Sequence, residues 1–322
     1  MINTHHNYCP ICKSLLKKIG NTNSLDELLS LWAPIRFSSH TINEHRKQSD
    51  YTVLYSCPKC KLKIFLPQII GTKSFYKTLQ GDKTAFYYVD EKWDFNEGLK
   101  DAKLCNAIIE IGCGTGSFLE KVKPFVSEIY GTEYNEKVLQ IARNKGLNIF
   151  STEEDIRKFK GQFDIAFSFH VLEHVADPVT FIEELCSWTK LAGKIAISVP
   201  NQDGPVKYID PCIQNMPPHH ATRWHAKTFK YIAKKFDLKI ERIAFEPLIL
   251  RDHYYYSIYW VDKIFGGESS IIKAINKILH LILPVVFRNI FRGLSKLNIT
   301  SLSLLKGQAI YVLMSKREGQ KT

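Results

Sequence analysis

Hydrophobic and polar positions follow two rhythms along the chain, and the change between them marks its organisation. From residue 105 to 200, short continuous apolar runs alternate with segments of helical period. Ala107-Ile108-Ile109-Glu110-Ile111 reads as a strand buried on both faces, and Phe118 to Val126 as a helix. Glu128 to Glu133 is a second strand, followed by a helix from Glu136 to Asn144 that Asn135 can cap. Phe163 to Phe169 (strand), Thr180 to Lys190 (helix) and Gly193 to Val199 (strand) repeat the unit. This rhythm predicts a parallel sheet with helices on both faces, a doubly wound α/β fold. Two more strands are expected at 236–246 and 307–314. Between them, at about 249–306, lies a helical insertion that the sheet does not need.

The region ahead of the sheet has another character. Strand-like runs, Tyr51 to Tyr55 and Lys63 to Leu66, flank Cys57-Pro58-Lys59-Cys60, and Cys9-Pro10-Ile11-Cys12 lies upstream. Two C-P-x-C turns can bring four thiolates, Cys9, Cys12, Cys57 and Cys60, to one tetrahedral ion. A strand, a knuckle and a strand make a zinc ribbon. The insert between the pairs exceeds the usual ~15–20 residues, and it opens its own helix with the capping box Ser24-Leu25-Asp26-Glu27. The expected organisation is a ribbon-like domain over 1–70, a helical bridge or lid over 71–104, and the sheet domain over 105–322. Aromatic clusters at Phe75-Tyr76 and Phe86-Tyr87-Tyr88 in the bridge are expected to pack rather than to cover a ligand.

Composition adds little until its distribution is considered. The 322 residues are 45% hydrophobic and 24% charged, which excludes long disorder and coiled coil. The net charge is +12, but residues 1–222 carry 26 Lys and Arg against 25 Asp and Glu, while residues 223–322 carry 18 against 7. No Asp or Glu occurs from Ser269 to Arg317, and Lys273, Lys277 and His280 oppose Ile271, Ile275, Ile278 and Ile282 on a helical wheel. Residues 271–297 could therefore lie on an anionic membrane surface, or cover the protein itself. Residues 1–20 lack the apolar core of a secretory signal, and no run of ~18 apolar residues occurs. Four of the eight cysteines form the two C-x-x-C pairs and the other four are scattered, so a cytoplasmic protein is expected, peripheral at the inner membrane face if the basic segment binds there.

The chemistry centres on Glu110-Ile111-Gly112-Cys113-Gly114-Thr115-Gly116. Glycines after a strand allow a tight turn and close approach of the backbone to a ligand, with a helix N-terminus behind them. Glu133 ends the next strand, where a carboxylate can hold two ribose hydroxyls. These residues, with Phe163-Asp164, Val171-Leu172-Glu173-His174-Val175, Asp177-Pro178 and Leu191 to Asn201, fall in an order that resembles the class I S-adenosylmethionine-dependent methyltransferases. The resemblance covers roughly residues 105–245 and implies a Rossmann-like methyltransferase sheet. It implies that Gly112, Cys113, Gly114 and Gly116 wrap the amino-acid part of S-adenosylmethionine, that Glu133 holds its ribose, and that Asp155 and the Ile156 amide meet its adenine. Glu110 and Phe169 complete the expected cofactor-binding set.

The acceptor is expected beyond the carboxyl end of the Phe163–Phe169 strand, where the chain reads His170-Val171-Leu172-Glu173-His174. A second group, Pro217-Pro218-His219-His220-Ala221-Thr222-Arg223-Trp224, looks like a bacterial subgroup associated with surface-glycan and small-metabolite synthesis. Three readings stand together. His170, His174 or His220 is a general base for O-methyl transfer. Alternatively, His170, Glu173 and His174 with a later histidine hold a divalent metal, resembling the E-x-x-E-H…H sites of small-RNA and ubiquinone methyltransferases, with His170 where those carry Glu. In the plainest reading, Glu173 and His174 only tie the loop. The resulting expectation is O-methylation of a sugar, a lipid-linked glycan or another small metabolite. The alternatives are an RNA methyltransferase, a sugar C-methyltransferase, and a non-catalytic cofactor-binding membrane adaptor. Nucleic acid is the less favoured partner, because the ribbon half is neutral.

Overall fold

A computed structural model describes residues 7–81, 90–151, 156–208, 212–248 and 306–317, together with Tyr256, Val285, Val286 and Asn289. The 249–306 insertion, with its amphipathic 271–297 segment, lies almost wholly outside these residues, and so does Asp155. Among the described residues no helix is long and apolar enough to cross a membrane. The chain divides into two compact units, residues 1–200 with 213–244 and 310–322, and residues 201–212 with 245–309. The candidate site lies entirely in the first.

The N-terminal part builds a small sheet. Strand β1 (Lys17–Ser24) runs into helix α1 (Leu25–Ser30), whose capping box is formed as the sequence predicts. Ser24 Oγ accepts from the Glu27 amide at 3.2 Å, and the Glu27 carboxylate accepts from the Ser24 amide at 2.8 Å. Helix α2 (Ser39–Arg46), strands β2 (Tyr51–Ser56) and β3 (Lys63–Leu66), and helix α3 (Lys73–Gly81) follow. Trp32, Phe75, Tyr76 and Leu79 pack together beside α3.

Helix α4 (Trp93–Ala102) leads into the large sheet. Its elements are β4 (Ala107–Ile111), α5 (Ser117–Val122), β5 (Glu128–Thr132), α6 (Glu136–Asn144), β6 (Asn148–Phe150), β7 (Phe163–Phe169), α7 (Pro178–Trp188) and β8 (Thr189–Pro200). Then come β9 (Thr222–Arg223), α8 (Ala226–Lys235), β10 (Leu238–Phe245) and β11 (Ala309–Lys316). Helix α7 starts two residues before its expected position because Asp177 caps it, accepting from Val179 N and Thr180 N with Pro178 in the first turn. Helix α5 stops four residues early, at Val122.

The seven-stranded order is β10-β11-β8-β7-β4-β5-β6, and the pairs β4–β5, β4–β7, β5–β6 and β7–β8 are parallel. The order reverses between β4 and β7, and a crevice at the carboxyl ends of the strands is where such sheets bind ligands. Both faces are apolar. Phe118, Leu119, Ile108, Ile165 and Phe167 are fully buried between sheet and helices, and each contributes about 1.5–3 kcal/mol relative to exposure. The second sheet, β1-β2-β3-β9, joins the N-terminal part to residues 222–223 from the far end of the chain.

Candidate active site

The β4–α5 turn is built on three glycines in left-handed geometry. Gly112, Gly114 and Gly116 have φ of 75°, 56° and 76°. A Cβ on Gly112 would stand 2.6 Å from Val171 Cγ2, and one on Gly116 would stand 2.4 Å from Leu147 Cδ1. The first contact also places the loop after β7 directly against the glycine turn. Glu133, buried at the end of β5, closes the turn from beside it. One carboxylate oxygen accepts from Gly114 N at 3.0 Å, and the other from Asn135 N at 2.8 Å. Burial raises its pKa against these two bonds.

Glu110 is more extreme. Burial, together with the charges of Asp94 and Glu133, pushes its carboxyl well above the ordinary range, and Lys92 only partly opposes this. Among the described residues Glu110 Oε2, Asp94 Oδ1 and Glu173 Oε2 are buried with no hydrogen-bond partner. Unsatisfied buried carboxylate oxygens are costly. A ligand bearing an α-amino cation and a sulfonium would relieve both the charge and the missing bonds, so these residues fit S-adenosylmethionine. Cys113 lies buried in the same turn, with its thiol raised by burial and by the neighbouring carboxylates. Ile156 opens a short 3-10 turn over Arg157–Phe159 and is partly buried. The Phe169 side chain packs in the core, with its ring centroid 4.7 Å from Phe118 and 5.1 Å from Phe95.

Beyond β7 the chain turns at His170, which itself sits at φ 55°. His170 Nε2 lies 2.9 Å from Asp94 Oδ2, and its Nδ1 lies 3.3 Å from Glu173 Oε1. Ser198 Oγ donates to the same Asp94 oxygen at 2.5 Å. Burial alone would lower the His170 pKa, but the charge of Asp94 and the bonds to Asp94 and Glu173 overcome it and raise it to about 9. The two carboxylates thus push His170 toward the imidazolium, a form that offers no lone pair, which weighs against its expected roles as general base and as metal ligand. Asp94, in α4, carried no sequence signal beyond its place in a helical stretch.

The histidines that gather are His174, His219 and His220. Their ring centroids are 4.5–4.7 Å apart, and one ligand atom from each lies within 4.8 Å of the others. His174 Nδ1 donates to the His219 carbonyl at 2.6 Å, and His219 Nδ1 to the Gln214 carbonyl at 3.1 Å. His220 Nδ1 lies 3.4 Å from Asn215 Oδ1, and its Nε2 lies 3.9 Å from Glu173. A carbonyl can only accept, so the first two rings carry their hydrogen on Nδ1 and the lone pair on Nε2. Burial lowers the pKa of all three, and those of His219 and His220 fall well below the ordinary value. The result is a set of neutral imidazoles beside a buried carboxylate. Tyr76 reaches in from α3, its Oη 3.1 Å from His174 Nδ1 and its ring 6.3 Å from that of Tyr134, next to Glu133. The aromatic cluster that held Tyr76 was visible in the sequence, but its contact with His174 was not.

The four cysteines also come together. Cys9 Sγ lies 3.5 Å from Cys60 Sγ, and Cys12 Sγ lies 3.3 Å from Cys57 Sγ. The hydrogen bond from Cys60 pulls the Cys9 pKa down to about 5. Four converging thiols, three of them buried, are compatible with a zinc site.

Residues 84–243 match the family described as "Methyltransferase domain". A ubiquinone biosynthesis O-methyltransferase of Roseobacter denitrificans is 26% identical over 177 residues, covering 51% of this chain and 69% of that protein. The protein of the same name from Erwinia tasmaniensis is 28% identical over 104 residues, 30% of this chain and 43% of its own length. The chain spans about half the length of the curated relatives it matches. A solved S-adenosylmethionine-dependent methyltransferase from Archaeoglobus fulgidus is 20% identical, with 69% of this chain and 91% of that one covered at a TM-score of 0.42. With the family matched across about half of its length, on the sheet that carries the glycine turn, the chain belongs to the class I S-adenosylmethionine-dependent methyltransferases.

Proposed function

We propose that the protein transfers a methyl group from S-adenosylmethionine to a hydroxyl of a small molecule, with His174 as the proton acceptor. The observation that carries this is the locked His174 ring. Its Nδ1–H is held by the His219 carbonyl at 2.6 Å, its pKa is lowered, and its Nε2 therefore holds a lone pair at neutral pH. When bound, the cofactor supplies an electrophilic methyl on a sulfonium. The chain's own residues do the rest. The Gly112–Gly116 turn and Glu133 hold the cofactor, and Glu110 answers its positive charge. His174 takes the hydroxyl proton, and the nearby Glu173 carboxylate, which favours the protonated ring, stabilises the charge that develops there. His170 and Asp94 keep Glu173 in place.

Two of the relatives matched are named for ubiquinone biosynthesis O-methylation, which supports a hydroxyl acceptor on a small molecule. A sugar or lipid-linked glycan hydroxyl is our finer reading, resting on the Pro217-Pro218-His219-His220 segment. A second reading has a direct observation behind it. His174, His219 and His220 could together hold a divalent ion, with each Nδ1 tied to an oxygen in the way metal-binding histidines are oriented. His170, bound to Asp94, stands outside that set. The test is methyl transfer from radiolabelled cofactor to a panel of phenolic, catecholic and sugar-nucleotide hydroxyls, before and after chelation. Transfer that survives a chelator supports the base mechanism, and transfer restored only by a divalent ion supports the metal. No transfer to any hydroxyl, with cofactor bound, overturns O-methylation.

A further inference from the structure

The proposed reaction gives no role to the cysteine-bearing sheet, yet that sheet, its knuckle and the elements beside it meet the histidine turn and the helix after it at three places. First, β3 pairs with β9 through Lys63 with Arg223 and Ile64 with Thr222, and Phe65 N donates to the Ala221 carbonyl at 3.0 Å. Second, Thr228 Oγ1, in the first turn of α8, donates to the carbonyl of Cys60 at 3.0 Å. Third, the rings of Trp32 and Tyr76 stand 5.7 and 6.2 Å from that of His219. The opposite side of the turn is tied to the loop after β7, where the Glu173 carbonyl accepts from Ala221 N at 2.9 Å and Thr222 N at 3.2 Å, and His174 donates to the His219 carbonyl. His219 and His220 immediately precede this clamped stretch.

The knuckles themselves need holding. Each is followed by a lysine in the left-handed region, Lys13 at φ 58° and Lys61 at φ 71°, a conformation that L-residues adopt at a cost. Their thiols are gathered within 4.8 Å, where bonds to a zinc ion would fix both turns and the register of β2 and β3.

We propose that the cysteine-bearing sheet is a wall of the acceptor site, so that zinc on Cys9, Cys12, Cys57 and Cys60 fixes the His219–His220 turn through the β3–β9 pairing and Thr228. This rests on the acceptor-site reading above but is tested separately from it. The full chain is purified with zinc, its metal content is measured, and it is compared with the Cys57→Ser variant. The readouts are backbone hydrogen exchange in the 213–224 peptides and calorimetric affinity for S-adenosylhomocysteine. The expected result is zinc loss with exchange at Ala221 and Thr222 faster by about tenfold or more, while cofactor affinity is retained. Unchanged exchange at these amides in zinc-free protein overturns the proposal. So does a parallel collapse of cofactor binding, which would make the sheet a general stabiliser, and so does wild-type protein without zinc. If Cys57→Ser does not fold, Thr228→Val in zinc-loaded protein cuts only the bond to Cys60. Faster exchange of the turn at full metal content then supports the coupling, and unchanged exchange overturns it. None of these readouts requires an acceptor, so the O-methylation reading can fail while the coupling stands.

Discussion

The two faces of the candidate site are built in opposite ways. The proposed cofactor face comes from a short stretch, Glu110 to Glu133, in which one strand, one turn and the next strand end place its groups. The proposed acceptor face comes from four distant places: Tyr76 in α3, Asp94 in α4, the loop from His170 to His174, and the turn at His219 and His220. The first face is rigid because backbone geometry permits nothing else at Gly112 and Gly116. The second holds its shape only through bonds between segments far apart in sequence, such as His174 to the His219 carbonyl and His170 to Asp94. The comparison teaches that cofactor binding and acceptor chemistry should be separable by mutation.

The largest expected effect comes from His174→Ala. It should lower kcat by about 10²–10⁴, the usual contribution of a positioned base, with affinity for S-adenosylmethionine unchanged by calorimetry. A matching loss of cofactor affinity would mean that the faces are not independent. The converse variant is Glu133→Ala, which removes a carboxylate bonded to two backbone amides. Cofactor affinity should fall about a hundredfold, and much of the turnover should return at saturating cofactor.

A third experiment sharpens the comparison through pH. The folded His170 pKa of about 9 lies above its ordinary value of 6.5. Its contribution to stability, on the order of 3 kcal/mol at most, is therefore complete below about pH 6.5 and lost as pH rises through 9. Asp94 is held below the ordinary carboxylate value, against the cost of burial, by His170 and Ser198. Its share is present above that ordinary value and is lost as pH falls through the depressed one. Thermal unfolding of the wild type should drop between about pH 7 and 10, and the profile of His170→Gln should be flatter there. Equal slopes would show that the His170–Asp94 pair does not carry the charge. The smallest effect is expected from Tyr76→Phe, which keeps the ring and removes the hydroxyl beside His174. A kcat loss of about fivefold, corresponding to ~1 kcal/mol, is expected, without a change in cofactor affinity.

Much of the sheet was legible because its signals are local. The strands at 107–111 and 163–169 and the helix at 136–144 coincide with β4, β7 and α6. A continuous apolar run, or a cap followed by a helical period, needs no distant partner to be recognised. Strand β1 was not anticipated, because its exposed, polar run Lys17 to Ser24 is ordered by pairing with β2 rather than by burial. The two-residue β9 likewise exists only because β3 offers it an edge.

The site divides along the same line. The glycine turn and Glu133 are visible in one stretch of sequence because close backbone approach demands particular residue types at particular spacings. The histidines were visible as residue types, but their roles were not. His170 and His174 are four residues apart and similar in sequence context, yet one sits between two carboxylates with its pKa raised and the other is buried against a carbonyl with its pKa lowered. A protonation state depends on the charges and dipoles within a few ångströms, and those come from α3, α4 and the Pro217–His220 turn. By itself the sequence determined the sheet, the cofactor turn and the gathering of cysteines into two knuckles. Only the tertiary structure decided which histidine is pushed toward the cation, which are pushed toward the neutral ring, and that the cysteine-bearing sheet pairs with the strand that follows them, because electrostatics and strand pairing act through space and not along the chain.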